Sequence, residues 1–246
     1  MSTHRDAELA GSLAAVRTRL ARAAEAAGRD VRGIELLPVT KFFPASDVVI
    51  LRRLGCSDFG ESREQEAARK VADVAAQFPG EQIRWHMVGH VQRNKARAIA
   101  RWAHTVHSVD SARVIAALGG GAEQALADGH RSTPLRVYLQ LSLDGDPDRG
   151  GVAVGTPDLI DELCAAIHAI DALELAGVMG IPPLDWDAED AFVRLAAERD
   201  RVQRSYRQPL GLSAGMSGDM EIAVRHGSTC VRVGTALMGQ RPLTSP

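Results

Sequence analysis

The lysine at position 41 is the residue of this chain with the most distinctive chemistry. The sequence contains three lysines against 26 arginines, and Lys41 stands at the end of the apolar run IELLPVTK. An arginine stays protonated, whereas a partly desolvated lysine amine can lose its proton and condense with an aldehyde. Lys41 is therefore a candidate Schiff-base lysine. The alternative is a solvated lysine at a strand end, which is the common case for this residue type.

Two later segments have the residue types of anion-binding loops. In CVRVGTALMG, Gly234 allows a close backbone approach, and Thr235 offers an N–H group and a hydroxyl at a helix start. The segment SAGMSGDME, which includes Ser213, Met216 and Ser217, forms a second loop before a helix. Ser217 taken alone is better explained as a helix N-cap. Two such loops after the last two strands of a barrel favour a phosphate site.

The spacing within the last predicted strand predicts an inward arginine. Alternation places Arg232 on one face with Cys230 and Gly234, and Val231 and Val233 on the other. A buried arginine needs an acceptor, and a heteroaromatic nitrogen or a structural carboxylate would each serve. An aldehyde-reactive lysine, a phosphate site and a ring-nitrogen donor together specify pyridoxal 5'-phosphate, PLP, as the expected ligand.

Eight βα units are needed to bring these residues together. Short apolar or β-branched runs predict strands at residues 34–41, 56–60, 84–89, 105–110, 135–143, 173–181, 209–215 and 230–234. Helical stretches are predicted near residues 45–54, 62–77, 92–102, 111–128, 156–170, 187–206 and 218–226. This alternation predicts an α/β fold, a (β/α)8 TIM barrel, with a doubly wound open sheet as the alternative.

An additional helix is predicted before the first strand, over about residues 6–27. Leu9, Leu13, Val16 and Leu20 recur there at helical spacing. Because only a short helix follows the eighth strand, we expect the N-terminal helix to cover that gap. No linker or repeat divides the sequence, so we expect residues 1–246 to form a single barrel domain.

Charge and hydropathy argue against nucleic acid and membrane partners. The net charge is -2, and no stretch approaches the length of a membrane span. A basic cluster is interpreted as a solvated helix face; it comprises Arg93, Lys95, Arg97 and Arg101.

Cysteines and histidines give no metal or disulfide pattern. Cys56, Cys164 and Cys230 are widely spaced, and the N-terminus lacks an apolar leader, which together favour a reducing cytoplasm. His86 and His90 are four residues apart on a predicted strand, too far to chelate one ion easily, so we expect core or pocket histidines and no metal.

Several ordered motifs carry a family resemblance. VTKFFPASD, DFGESREQEA, WHMVGHVQRNKAR, HSVDSAR, GVMGIPP and LSAGMSGDMEIAVRHGSTCVRVGTALMGQR together resemble the pyridoxal phosphate homeostasis proteins, the YggS-type family, from about residue 35 to 241. The resemblance implies an alanine-racemase-like barrel of fold type III, monomeric or weakly dimeric, with PLP held by Lys41 as an internal aldimine.

The same resemblance implies the roles of further residues. It places Ser213, Met216, Ser217, Gly234 and Thr235 in the phosphate region, and Arg232 at the pyridine nitrogen. Ser62 stands where the family usually has Asn, so a polar contact near the cofactor ring is shortened or replaced by water. His86, on the third predicted strand, completes the predicted cofactor-binding set.

The expected role is a carrier, not an enzyme. A racemase on this scaffold needs a second acid/base group opposite the lysine, typically a Tyr from a second domain, which these 246 residues do not predict. Tyr138 and Tyr206 fall away from the predicted mouth, and an arginine beside the pyridine nitrogen disfavours a protonated ring. We therefore expect a protein of PLP homeostasis and supply, with PLP-dependent apoenzymes as partners. The alternative is a weak or specialised amino-acid racemase or lyase.

Overall fold

The computed structural model describes residues 4–240, which alternate between strands and helices along the chain. The strands are β1 (Glu35–Pro38), β2 (Asp58–Glu61), β3 (Arg84–Met87), β4 (Thr105–Val109), β5 (Leu135–Ser142), β6 (Val152–Ala153), β7 (Leu173–Gly180), β8 (Gly211–Ser213) and β9 (Cys230–Val233). The helices are α1 (His4–Ala26), α2 (Ala45–Arg53), α3 (Glu64–Ala75), α4 (Ala96–Trp102), α5 (Ala112–Ala127), α6 (Pro157–His168), α7 (Ala188–Gln203), α8 (Met220–Arg225) and α9 (Thr235–Met238).

The strands form a closed parallel barrel. Hydrogen bonding connects them in the order β1, β9, β8, β7, β5, β4, β3, β2. A parallel bridge between Val39 and Gly60 then joins the two ends of this path, because Val39 directly follows β1 and Gly60 lies in β2. The predicted (β/α)8 barrel is thus confirmed and the open sheet is excluded.

The predicted elements are all present, with ends that differ by four residues or fewer. One strand was not predicted: the two-residue β6 pairs with the end of β5, where Leu141 is the partner of Val152. An apolar pair following the Gly-rich loop at residues 144–151 is too short to give a periodic signal.

Helix α1 covers the side of the barrel where the last βα unit has only a short helix. Its buried stripe, Leu9, Leu13, Val16 and Leu20, packs in one apolar cluster with residues of α8, β9 and α9. Burial of such a stripe is the main source of stability for a helix of this kind. The expected role of the N-terminal helix is confirmed.

Within residues 4–240, every helix is too short or too polar to span a membrane. The three cysteines are buried free thiols.

Candidate functional site at the carboxyl ends of the strands

The end of β1 and the end of β9 lie side by side, and this brings Lys41 to the last loop of the barrel. The Val39 N–H donates to the carbonyl of Val233 over 2.9 Å. A Cβ added to Gly234 would lie 3.8 Å from both Cβ and O of Val39, so Gly234 packs directly against this backbone. Lys41 follows two residues later and is exposed. The lysine and the Gly234–Thr235 turn therefore share one edge of the mouth.

A hydrogen bond ties the loop after β8 to the start of α9, directly after β9. The Ala236 N–H donates to Ser217 Oγ over 3.1 Å. Ser217 thus does not cap the helix that follows it in sequence but the start of α9. Its hydroxyl proton remains available for a further acceptor. Met216, exposed at 39%, lies in the same loop, and its N–H donates to Asp219 Oδ1 over 2.6 Å.

Arg232 lies inside the barrel below these loops, as strand alternation predicts. Its Nη1 donates to Ser213 Oγ over 2.6 Å, and its Nη2 donates to the carbonyl of Gly180 over 3.1 Å. Its neighbours Val231 and Val233 face the helices. Both acceptors, a hydroxyl and a backbone carbonyl, are neutral, and burial lowers the pKa of the Arg232 guanidinium. A guanidinium has five N–H donors, so groups remain for a ligand atom.

A buried ionic cluster supports the backbone just before Lys41. Thr40 is fully buried, and its Oγ1 donates to Glu61 Oε1 over 2.6 Å. Lys70 Nζ donates to the same oxygen over 2.7 Å and to the carbonyl of Thr40 over 3.0 Å. Burial raises the pKa of Glu61, while the charge of Lys70 opposes that shift. Sequence reasoning missed this Thr40–Glu61–Lys70 cluster.

The residue after Lys41 has an uncommon backbone conformation. Phe42 has φ 70°, a region that costs a non-glycine residue energy. Its N–H donates to Glu66 Oε1 over 3.2 Å, and its ring centroid lies 5.7 Å from Lys41 Nζ. The bend turns the chain sharply after β1, and the position of Lys41 is thereby fixed from both sides.

Helix α1 reaches the same site from outside the barrel. Arg19 Nη2 donates to the carbonyl of Ser217 over 3.1 Å, and Arg19 Nε forms an ion pair with Glu221 over 2.8 Å. The sequence predicted the helix but not this contact, because nothing in the sequence of α1 distinguishes Arg19 from the other arginines of the helix.

His86 lies apart from this edge, whereas Ser62 lies at the end of the neighbouring strand β2. Ser62 is half-buried at the end of β2 and lines a cavity of about 640 Å³ on the outer rim, together with His90 and Lys95. His86 is buried in the barrel interior and lines a second cavity, of about 570 Å³, with Glu35 and Asp58, which begin their strands. The structure thus places His86 toward the amino-terminal ends of the strands, away from the loops with which the sequence grouped it.

Two properties of the strands decide where the His86 side chain lies: the alternation of side chains and the stagger between neighbouring strands. Alternation along β3 accounts for the inward direction of His86, because Trp85 and Met87 face the helices. It does not predict the height of a side chain along the barrel axis, which depends on the stagger between strands.

The fold belongs to a known class of barrels. A family model described as alanine racemase, N-terminal domain, matches residues 12–242. The alanine racemase of Bartonella henselae, solved with covalently bound pyridoxal phosphate, superposes with a TM-score of 0.66 at 14% identity over 96% of this chain and 61% of the racemase. The chain is therefore an alanine-racemase-type barrel.

More similar proteins identify the family within this class. The pyridoxal phosphate homeostasis protein of Mycobacterium tuberculosis (strain H37Rv) is 58% identical over 98% of this chain and 96% of its own length. PipY of Synechococcus elongatus PCC7942, solved with PLP bound, has a TM-score of 0.77 at 28% identity over 94% of this chain and all of PipY. The chain belongs to the pyridoxal phosphate homeostasis protein family.

Proposed function

We propose that this protein binds PLP reversibly at the carboxyl ends of its barrel strands and takes part in PLP homeostasis and supply without substantial catalytic turnover. One observation carries the proposal: adjacent strands bring an exposed lysine, two linked loops and an inward arginine to one mouth. The name of the Mycobacterium relatives and the PLP bound to PipY agree with it.

The residues of this mouth suit the chemical groups of PLP. Arg232 is a buried cation held by two neutral acceptors, Ser213 Oγ and the Gly180 carbonyl, and retains N–H donors for a pyridine nitrogen. The turn from Gly234 into α9 can present backbone N–H groups to a phosphate, and Ser217 keeps a hydroxyl proton for it.

We assign the following roles within this site. Lys41 binds the aldehyde carbon, Arg232 donates to the ring nitrogen, and Ser213 holds Arg232. The phosphate region comprises Met216, Ser217, Gly234 and Thr235. Ser62, at the neighbouring strand end, contributes at the rim.

Covalent binding follows from the chemistry of a neutral lysine amine. PLP supplies an aldehyde, and Lys41 Nζ, after losing its proton, attacks that carbon to form a C=N bond with loss of water. The fixed backbone around Lys41 reduces the entropy lost on binding. Water reverses the step, which a protein that releases PLP requires.

The same residues disfavour amino-acid turnover. Tyr138 is 5% exposed, its ring stacks on His107, and its hydroxyl lies near Gly211 at the start of β8, below the mouth. Tyr206 packs against His168 outside the barrel. Neither tyrosine faces Lys41 as a second acid/base group, and Arg232 donates to a ring nitrogen that a strong electron sink would need protonated.

The wider setting follows from this role. We propose that PLP-dependent apoenzymes in the cytoplasm accept the cofactor, and that the chain acts as a single barrel domain, as a monomer or a weak dimer. Transfer from a small carrier requires that the exposed mouth can approach an acceptor.

The test is covalent trapping on a protein with few lysines. We expect PLP added to the protein to give the absorption band of a lysine imine, and borohydride followed by peptide mapping to place the label on Lys41. Lys41→Ala should lose the band, whereas the control Lys95→Ala, which removes a lysine 3.5 Å from Glu64, should keep it. An unchanged band in Lys41→Ala refutes the assignment. Incubation with single amino-acid enantiomers tests turnover, and rates above those of free PLP refute the carrier role.

A further inference from the structure

A continuous line of buried polar side chains runs through the barrel interior from Arg232. Arg232 Nη1 donates to Ser213 Oγ over 2.6 Å, and Ser213 Oγ lies 2.8 Å from His107 Nδ1. His107 Nε2 lies 2.9 Å from His86 Nδ1, and His86 Nε2 lies 3.2 Å from Asp58 Oδ1. All five residues are buried. We call this line the Arg232–Asp58 relay.

The two ends of the relay fix the direction of its hydrogen bonds. Arg232 is a guanidinium and can only donate. Asp58 accepts two bonds of 2.6 Å from Arg84. Burial acts to raise the pKa of Asp58, but hydrogen bonds from His86 and Arg84 outweigh it and hold that pKa well below its usual value. Asp58 is therefore an ionised carboxylate and can only accept.

Between these ends, each hydrogen bond of the relay needs one proton, supplied by one of its two partners. Ser213 Oγ accepts from Arg232 and still has a second lone pair, so the order is set from the Asp58 end: a His86 ring with one proton donates it from Nε2 and accepts at Nδ1, and His107 then accepts at Nδ1 from the Ser213 hydroxyl. His107 Nε2 then donates to His86 Nδ1, and His86 Nε2 donates to Asp58. Burial, above all, holds the pKa of His107 well below its usual value, which keeps this ring neutral. In this arrangement the proton that each histidine donates along the relay lies on Nε2.

This direction stabilises the arginine. Every bond in the relay points its negative end toward Arg232, so a buried cation with neutral acceptors is balanced by aligned dipoles that end on the carboxylate of Asp58. Tyr138 stacks on the His107 ring at 4.7 Å and restricts its rotation. Without His107, the Ser213 hydroxyl proton would lose its acceptor, and the hydroxyl could rotate so that its lone pair no longer points to the guanidinium.

We propose that His107, His86 and Asp58 are positioning residues that hold Arg232, through Ser213, in the orientation that donates to the ring nitrogen of PLP. The proposal rests on the proposed function, because that function supplies the ring contact of Arg232. It also assigns a role to His86 that differs from direct cofactor binding. Asp58 and His86 line the cavity at the opposite end of the barrel, so this orientation depends on residues far from the PLP mouth.

Matched variants of His107 test the relay. His107→Phe keeps the ring stacked on Tyr138 but removes both nitrogens. We expect the Kd for PLP to rise at least about tenfold, which is the typical cost of losing a hydrogen bond that supports a charge. His107→Asn places an acceptor where Nδ1 was, and we expect it to recover most of the affinity. Glu81→Gln changes a carboxylate of the same far cavity outside the relay and serves as the control.

The outcomes separate this proposal from the proposed function. If wild-type protein forms no borohydride-trapped adduct on Lys41, the proposed function fails. If wild-type protein does so and His107→Phe binds PLP as tightly, with the same absorption band, the relay fails.

A measurement on unaltered protein decides the case in which His107→Phe does not fold. Nitrogen-15 NMR of the histidine rings, recorded without PLP at neutral pH, should show one proton on Nε2 and none on Nδ1 for both His86 and His107. A proton on Nδ1 of His107 would overturn the proposal.

Discussion

Lys70→Met is the sharpest test of how the Thr40–Glu61–Lys70 cluster supports the site. The Lys70 and Glu61 side chains are 5% and 0% exposed, and Glu61 Oε2 already has no hydrogen-bond partner. The variant leaves Glu61 buried with the Thr40 hydroxyl as its remaining donor. Removing one partner of a buried pair costs about 3–5 kcal/mol, because the other charge stays uncompensated. For a domain of this size we expect the melting temperature to fall by about 10 °C.

Lys95→Met is the matched control. Lys95 is 32% exposed and lies 3.5 Å from Glu64, so this pair is worth about 0–1 kcal/mol. Urea unfolding of both variants measures the difference in free energy of unfolding. Glu61→Gln combined with Lys70→Met removes both charges and should regain part of the loss. The reasoning is refuted if Lys70→Met is no less stable than Lys95→Met.

The loss in Lys70→Met should also depend on pH. Burial raises the pKa of Glu61 in the folded protein, and removing the opposing charge of Lys70 raises it further. A group whose pKa is higher in the folded than in the unfolded protein stabilises the fold at a pH below its pKa in the unfolded protein. This stabilisation is lost as the pH rises through its pKa in the folded protein. The deficit should therefore be smaller near pH 5 than near pH 8, and an equal deficit at both would contradict an ionic origin.

Two further variants examine the loop after β8. Gly215 has φ 91°, and an added Cβ would lie 2.5 Å from the Ala223 Cβ. Gly215→Ala should therefore lower the free energy of unfolding by about 1–3 kcal/mol. A melting curve equal to that of the wild-type protein would contradict this. Arg19→Ala removes the bond to the Ser217 carbonyl and the ion pair with Glu221, and we expect several-fold weaker PLP binding by equilibrium titration with a small effect on stability. Unchanged affinity would show that α1 does not support this loop.

The sequence predicted the features that depend on local pattern. Strand and helix periodicity gave the eight barrel strands, and alternation gave the inward direction of Arg232. The pairing of β1 with β9, which puts Lys41 at the same edge as the last loop, is inherent in a closed barrel, whose first and last strands are neighbours.

Features that depend on pairing between distant residues could not be predicted in this way. Lys70 stands in the helical stretch EQEAARKVADVA, where a lysine is normally solvated, and only the packed fold shows that it is buried against Glu61. His107 contacts Ser213 across 106 residues of sequence, and no spacing rule connects them. The far position of His86 depends on strand stagger, which hydrophobic pattern does not encode.

The three lysines of this chain have a consequence for handling a reactive aldehyde. Lys70 is enclosed and charged beside Glu61, Lys95 is paired with Glu64, and nearly all remaining side-chain cations are guanidinium groups, which stay protonated. Lysines scattered over a surface would each bind some PLP at random and release it unpredictably. Here condensation with other side chains is suppressed, so the amount of PLP bound to lysine should approach one molecule per chain and report the occupancy of Lys41.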